Sequence, residues 1–96
     1  MAINYEAIGR CQVLRKEVER LHLQRNTAVN ELRSDLRGVM GSISGTIYTF
    51  DPDTAHRKLA ELEAANRQLM EAANEFNDWA PAAGERLITI TEPHRQ

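Results

Sequence analysis

Three histidines and one cysteine are the residues of this sequence best suited to bind a transition metal, but their spacing does not form a site. His22, His56 and His94 lie far apart, and none stands four residues from another histidine or cysteine, the spacing that places two ligands on one helix face. Cys11, the only cysteine, has apolar neighbours and is expected to pack as a small hydrophobic residue, with no internal disulfide possible. We therefore predict no metal site.

The serine- and glycine-containing segment GSISG, residues 41–45, comes closest to a phosphate-binding or nucleophile motif. No lysine follows it and no predicted strand precedes it, as a phosphate loop would require. A nucleophile elbow needs a serine at the centre, where Ile43 stands. Carboxylates are numerous, but two paired helices offer no cleft that would desolvate one and raise its pKa. The sequence thus predicts a hinge here, and a protein with no catalytic residue and no cofactor.

Arginine supplies ten of the twelve basic residues, and its planar guanidinium suits bidentate contacts with other proteins. Arg10, Arg15, Arg20 and Arg25 recur every five residues. On a helix each such step turns by about 140°, so the four do not form one stripe along a phosphate backbone. Glutamates interleave with them. The pattern favours a helix face with local ion pairs or protein contacts, with nucleic-acid contact as the alternative.

Size and composition are those of a small folded protein. The chain has 96 residues, of which 42% are hydrophobic and 27% charged, and its net charge of −2 gives no global field to attract nucleic acid. No apolar run approaches the ~18 residues of a membrane span. Residues 1–10 lack the pattern of a secretory signal, so we expect a cytoplasmic location and no membrane partner. A chain this short buries a modest share of its surface, which favours a second copy or another partner.

Residues 4–40 are predicted to form one long helix. Apolar or small residues recur there in steps of three, four and seven, the spacing of a heptad seam. They are Ala7, Cys11, Leu14, Val18, Leu21, Ala28 and Leu32. The one gap falls at Arg25, and after Leu32 the pattern shifts by one residue to Leu36, Val39 and Ile43.

A second helix is predicted for residues 52–80, after a connector at 41–51. Asp51 can cap the N-terminus of this helix, Pro52 suits its first position, and Pro81 is expected to end it. The predicted seam, again in steps of four and three, consists of Ala55, Leu59, Leu62, Asn66, Leu69, Ala73, Phe76 and Ala80.

Two short segments outside the helices are rich in β-branched residues. Residues 46–50 belong to the connector, and residues 87–91 belong to the C-terminal tail at 81–96. Both are predicted to be extended. The alternative is that both are irregular and solvated.

Two helices with matching apolar stripes predict an all-α fold, a long antiparallel helical hairpin of the coiled-coil type over residues 1–80. Residues 1–40 carry a net charge of +2 and residues 51–86 one of −4, which favours antiparallel pairing. Aligning the seams brings Leu21 near Phe76.

The same alignment places Arg25 opposite Asn66, and these are polar residues within otherwise apolar seams. Either the two pair and fix the register of the helices, or Arg25 extends its charged head past an apolar stem to water.

The first ten residues extend past the predicted end of the second helix. Ile3 and its apolar neighbours there either pack on residues 87–91 or form an exposed apolar end, which would mark a contact site. The residues predicted to bind a partner are Tyr5, Ile8, Arg10, Arg15 and Arg20. Trp79 is either a further contact or a core anchor near Leu14.

The helical segment YEAIGRCQVLRKEVERLHLQRNTAVNELRSDLR, residues 5–37, is followed by a capped second helix and a polar tail in a short, cysteine-poor chain. In these respects the sequence resembles the small, helical, early-expressed accessory proteins of lambdoid bacteriophages. The resemblance covers about a third of the chain and includes no catalytic motif, so it transfers no site residue. It implies a protein of the host cytoplasm that binds and modulates a host protein, such as a DNA-processing nuclease.

The predicted function is that of a non-enzymatic protein-interaction module. The alternatives are a nucleic-acid-associated helical protein and a structural or assembly component. We also predict a homodimer, because residues 46–50 and 87–91 lie at opposite ends of the second helix, about 40 Å apart at ~1.5 Å per residue. These two segments could pair only between two antiparallel chains.

Overall fold

The computed structural model describes residues 3–93 as an antiparallel hairpin of two long helices. Helix α1 spans Tyr5–Met40 and helix α2 spans Pro52–Ala83. The molecule measures 72 × 26 × 15 Å, the dimensions of two helices lying side by side. The predicted all-α helical hairpin is confirmed.

Helix α1 has a polar cap at its start and a glycine at its end. The Asn4 side chain accepts a hydrogen bond from the backbone N–H of Ala7 at 2.9 Å, which satisfies one of the free donors of the first turn. The helix ends at Gly41, whose φ of 55° is a conformation that side chains disfavour. The Tyr48 ring lies directly on Gly41, where a Cβ would collide with it. The left-handed φ therefore favours glycine at this end, and a larger residue would also have to displace the Tyr48 ring.

Helix α2 begins at the predicted cap. Asp51 accepts hydrogen bonds from the backbone N–H of Asp53 at 3.1 Å and of Thr54 at 3.4 Å, and from the Thr54 hydroxyl at 2.5 Å. The Thr54 hydroxyl and these backbone N–H groups favour the charged carboxylate, so they lower the pKa of Asp51 from its ordinary value of 3.8. Pro52, which has no N–H to satisfy, occupies the first helical position.

The end of α2 differs from the prediction, which placed it at Ala80 because of Pro81. The helix includes Pro81 and continues to Ala83. Gly84 adopts a left-handed conformation, and its N–H donates to the Pro81 carbonyl at 3.2 Å. The N–H of Glu85 donates to the Ala80 carbonyl at 2.9 Å. This pair of bonds is a Schellman cap, which satisfies the last carbonyls and lets the helix accommodate a proline in its final turn.

The helices meet along a seam that is fully buried in only one half of the hairpin. On α1 the buried residues are Ala7, Cys11, Leu14, Leu21 and Ala28. On α2 they are Ala65, Leu69, Ala72, Ala73, Phe76 and Ala80. We call this half, residues 5–28 with 65–83, the tail half, and residues 29–64 the connector half. No residue of the connector half is buried.

The buried side chains form two clusters. Phe76 packs with Cys11, Leu14 and Ala80. Leu21 packs with Leu69 and Ala72, one turn along α2 from the predicted contact with Phe76. The prediction of that contact was wrong, because antiparallel helices that pair Arg25 with Asn66 place Leu21, four residues earlier, beside Leu69. Of the predicted α2 seam, Leu69, Ala73, Phe76 and Ala80 are buried and Leu59 and Asn66 are exposed. Ala65 and Ala72 are buried in addition.

The α1 seam keeps its heptad spacing to the end of the helix, so the predicted shift after Leu32 is wrong. The next half-buried positions are Asp35 and Val39, and Leu36 is exposed. Asp35 accepts a hydrogen bond from Lys58 of α2. This ion pair permits two charged residues at seam positions that the apolar pattern alone would exclude.

Neither β-prone segment forms a strand within residues 3–93. The connector at 41–51 contains a turn in which the Thr46 N–H donates to the Ile43 carbonyl at 3.1 Å, and Ile47 is 96% exposed. The tail turns back after Gly84, and Ile88 packs against the cluster that contains Phe76.

The tail runs toward the middle of the hairpin and leaves the N-terminus uncovered. Ile3 and Tyr5 are exposed, and Ile8 is half-buried. Of the two alternatives for these residues, the structure shows the exposed apolar end. The overhang is shorter than predicted, because α2 continues to Ala83 and Ala7 is buried.

Aspartate at Leu21 or Phe76 is expected to unfold the hairpin. These side chains are 2% and 1% exposed, so each variant would bury an unpaired charge at a cost of more than about 3 kcal/mol. Gln68→Ala, at an exposed position of α2, is the control and should shift the Tm by less than about 2 °C. Thermal melts followed by circular dichroism measure the effect, and equal Tm values for all three variants would contradict the seam.

Asp51→Ala is expected to fray the first turn of α2, because it removes the acceptor of three hydrogen bonds. Hydrogen exchange at residues 53–57 should accelerate about fivefold, and less in Asp51→Asn, which keeps an acceptor. Unchanged exchange in the alanine variant would mean that the cap does not hold the helix start.

The same cap should be sensitive to acid. Because the folded-state pKa of Asp51 is lowered, its stabilisation is fully present above the ordinary value of 3.8 and is lost as the pH falls below it. The amide chemical shift of Thr54 should report this loss in the wild-type chain, and should change less over that range in Asp51→Asn.

Candidate docking surfaces

Two of the three arginines predicted to bind a partner lie against aromatic rings of α2. The guanidinium carbon of Arg10 is 5.7 Å from the centroid of the Trp79 ring, and that of Arg15 is 5.3 Å from the centroid of Phe76. Arg15 also donates to Glu85 at 2.7 Å, directly after the end of α2. Both arginines therefore tie α1 to the other end of the chain, through cation–π contacts and an ion pair.

The third of these arginines, Arg20, makes hydrogen bonds with residues of its own helix. Its Nε and Nη2 donate to the two carboxylate oxygens of Glu17 at 3.1 and 2.5 Å, and Nη1 donates to Gln24 at 3.3 Å. The hydrogen bond from Arg20 lowers the pKa of Glu17. The pair is exposed, and pairs of this kind contribute little to stability. This part of α1 is thus a solvated face with a local ion pair.

Arg25 and Asn66 are brought together between the helices. Nη1 of Arg25 donates to Oδ1 of Asn66 at 3.1 Å. Arg25 is half-buried and lies between Leu21 and Ala28 in the seam. Arg25 therefore pairs with Asn66, as the first of the two alternatives predicted. A polar pair within the seam disfavours other registers of the two helices.

Trp79 and Cys11 belong to the packing of the tail half. Trp79 is half-buried and packs against the cluster that contains Leu14. Cys11 is 1% exposed, and burial raises the pKa of its thiol. A buried, protonated thiol is a poor nucleophile and a poor metal ligand.

No three histidine, cysteine or acidic side chains within residues 3–93 are grouped so that they could hold a metal ion. His22 and His56 are exposed and far apart in the fold, and His94 lies outside the described residues. Neither α1 nor α2 contains an apolar stretch long enough to cross a membrane.

The Asn77 side chain holds the tail through two hydrogen bonds to one backbone residue, the pattern that a neighbouring β-strand would provide. Oδ1 of Asn77 accepts from the Ile88 N–H at 2.8 Å, and its Nδ2 donates to the Ile88 carbonyl at 2.9 Å. The predicted pairing of residues 87–91 with a second chain assumed that this segment has no partner in its own chain. For Ile88 that assumption is wrong, since Asn77 supplies its partner. The homodimer itself stays a prediction.

The tail covers one flank of the hairpin as far as its middle. Residues 88–91 line a groove together with His22 of α1 and Ala73 of α2. Val29 and Leu36 follow His22 at intervals of seven, so they lie on the same flank of α1. This flank is therefore covered in the tail half and open in the connector half.

The open part of the flank is an apolar groove, which we call the connector-half groove. It has a volume of about 410 Å³. Its apolar lining residues are Val29, Leu32, Leu36, Met40 and Leu62, and Arg33 and Arg37 complete the lining. Met40 is 82% exposed.

Sequence reasoning missed this groove because it assigned Leu36 to the seam. The signal was present as a second apolar stripe beside the first, with Val29 and Leu36 seven residues apart and each directly following a seam position. A helix with two such stripes has more apolar surface than a single partner helix can cover.

Asn77→Ala is expected to release the tail without unfolding the helices. The Ile88 amide should lose its protection from hydrogen exchange, and proteolysis within residues 85–91 should accelerate about tenfold, because the two bonds that anchor the segment are gone. Asn74→Ala, at an exposed position one turn earlier, is the control. Equal protection of Ile88 in both variants would contradict the anchor.

Comparison of the chain with models of protein families, with curated proteins and with solved structures finds no match. Its function is therefore inferred from its own surface.

Proposed function

We propose that this chain is a non-enzymatic protein-interaction module that binds another protein through the connector half of its hairpin. The observation that carries the proposal is the connector-half groove, in which Val29, Leu36 and Met40 remain 41%, 46% and 82% exposed. Single exposed apolar residues are common on protein surfaces, but a contiguous apolar stripe on one helix flank is typical of a contact site.

The connector extends this apolar surface around the tip of the hairpin. Ile43, Ile47 and Phe50 are more than half exposed, and no residue of the connector is even half-buried. Burying one such side chain against a partner contributes about 1.5–3 kcal/mol before the cost of association. Micromolar binding requires about 8 kcal/mol beyond that cost, so a partner would have to cover most of these side chains together with the groove. The tip of a rod 72 Å long is also accessible to a large partner.

The groove is a better docking surface than the arginine set at the other end. Arg10, Arg15 and Arg20 each contact groups of their own chain, so a partner would have to displace those contacts first. The connector-half groove needs no such rearrangement. Tyr5 and Ile8 remain predicted contacts at the N-terminal end, and a partner that spans the rod could reach both surfaces.

The resemblance of residues 5–37 to accessory proteins of lambdoid bacteriophages adds a finer proposal. The partner would be a host protein such as a DNA-processing nuclease, met in the host cytoplasm, and the chain would modulate it by occupying its surface. What supports this is the resemblance, together with a hairpin whose apolar tip suits docking. The engaged state of Arg10, Arg15 and Arg20 disfavours the alternative of a nucleic-acid-binding protein.

Aspartate at Leu36 or Met40 should abolish partner binding and leave the fold intact, because both side chains are exposed. Tagged wild-type chain, incubated with a bacterial lysate, should retain a protein that both variants lose. Leu23→Asp is the control, since Leu23 is 70% exposed on α1 but does not line the groove. Titration of the retained protein should show an affinity loss of at least about tenfold for the groove variants alone.

Two results would contradict the proposal. Retention that all the variants share would place binding elsewhere on the hairpin. A salt-dependent gel shift with duplex or single-stranded DNA, unaffected by Leu36→Asp, would favour the nucleic-acid alternative.

A further inference from the structure

We infer that the connector-half groove receives an amphipathic helix of the partner, and that this helix carries carboxylates along the edge facing α1. The inference rests on the proposed function and deepens it, because it assigns the chemistry of the segment that docks.

The spacing of the lining residues suits a helix. Val29, Leu32, Leu36 and Met40 are separated by three, four and four residues, so they form a ridge along three turns of α1. Such a ridge is about 16 Å long at ~1.5 Å per residue. Leu62 of α2 forms the other wall. A third helix laid between the two would complete a three-helix bundle in the half of the hairpin that lacks buried residues.

The tail half shows what an extended occupant of this flank requires. There the backbone of Ile88 is satisfied by the amide of Asn77, which both donates and accepts. The positions seven and fourteen residues before Asn77 are Met70 and Glu63. Methionine offers no such pair of bonds, and a carboxylate only accepts. An extended segment in the connector-half groove would therefore find no side chain that anchors its backbone as Asn77 anchors Ile88, whereas a helix satisfies its own backbone groups.

Charge defines one edge of the occupant. Arg33 and Arg37 line the groove four residues apart on α1. The ion pairs within residues 3–93 involve Arg15, Arg20 and Lys58, and neither groove arginine takes part in one. Two guanidinium groups one turn apart match carboxylates spaced by one turn on a facing helix.

The same two arginines disfavour a second copy of this chain. A two-fold contact centred on the groove would place the α1 flank of one copy against that of the other. Arg33 and Arg37 would then face the same residues of the second chain, and like charges repel. A partner with acidic residues at this edge meets no such repulsion.

A pair of synthetic helical peptides tests the inference. Both carry the same leucine stripe, flanked along one edge at four-residue spacing by glutamates in one peptide and by lysines in the other. Fluorescence anisotropy with the full chain at low salt should show at least about tenfold tighter binding of the glutamate peptide. Arg33→Glu combined with Arg37→Glu should reverse the preference. Leu36→Asp should weaken the binding of both peptides.

The matched control is Lys16→Glu combined with Arg86→Glu, which makes the same change in net charge at exposed positions outside the groove. It should preserve the preference for the glutamate peptide. If both double variants lose the preference for the glutamate peptide equally, the preference depends only on the net charge of the chain. That result would overturn the inference.

The remaining outcomes separate this inference from the proposed function. Equal affinities for the two peptides, both lost in Leu36→Asp, would overturn the acidic edge and leave a docking groove in place. Binding of neither peptide would overturn the helical occupant. A dimer in sedimentation that Leu36→Asp converts to a monomer would assign the groove to a second copy and overturn the inference.

Discussion

Phe76 and Leu21 are the two large side chains that the helix pair buries almost completely, and the rest of the structure depends on the contacts they make. Most other buried residues are alanines, which let the two helices approach closely but contribute little apolar area each. A pair of helices can bury only the stripe that each turns toward the other. The stability of this hairpin is therefore concentrated in the tail half, where its large side chains lie.

The tail and the arginines add cover to the same half. Arg15 lies over Phe76 and bonds Glu85, and Asn77 holds Ile88 against the cluster. Exposed ion pairs contribute little by their charge alone. Their effect here is to exclude water from the edges of the largest buried ring. Within residues 29–64 the seam has one ion pair, Asp35–Lys58. No tail residue within residues 3–93 lines the connector-half groove, so this flank stays open for another molecule.

What the sequence could predict depended on signals that are local along the chain. Heptad spacing predicted two paired helices, and the Asp51-Pro52 pair predicted the start of α2. The sequence did not predict the continuation of α2 past Pro81, because proline is expected to end a helix, whereas the cap forms at Gly84, three residues later, in a left-handed conformation. The docking of Ile88 depends on a contact with Asn77 that has no periodic signature.

The candidate site shows the same limit. Apolar periodicity identifies the residues of a stripe but does not decide which of two adjacent stripes faces the other helix. In the connector half, the stripe of α1 that faces α2 contains Asp35, which pairs with Lys58. Leu36, the next residue, therefore faces outward. Two charged residues could be assigned to a seam only once their mutual contact was known.

The position of the buried clusters also has a consequence for the route by which the chain folds. Leu21 and Leu69 are 48 residues apart, whereas a hairpin that closes from its turn would first join the residues next to the connector. Closing a loop four times longer costs about 1.2 kcal/mol more in chain entropy. Because the contacts nearest the turn bury the least surface, they cannot offset even the smaller cost. We therefore expect folding to be limited by a long-range encounter between the two helical segments, which lengthening the connector by several residues would slow only slightly.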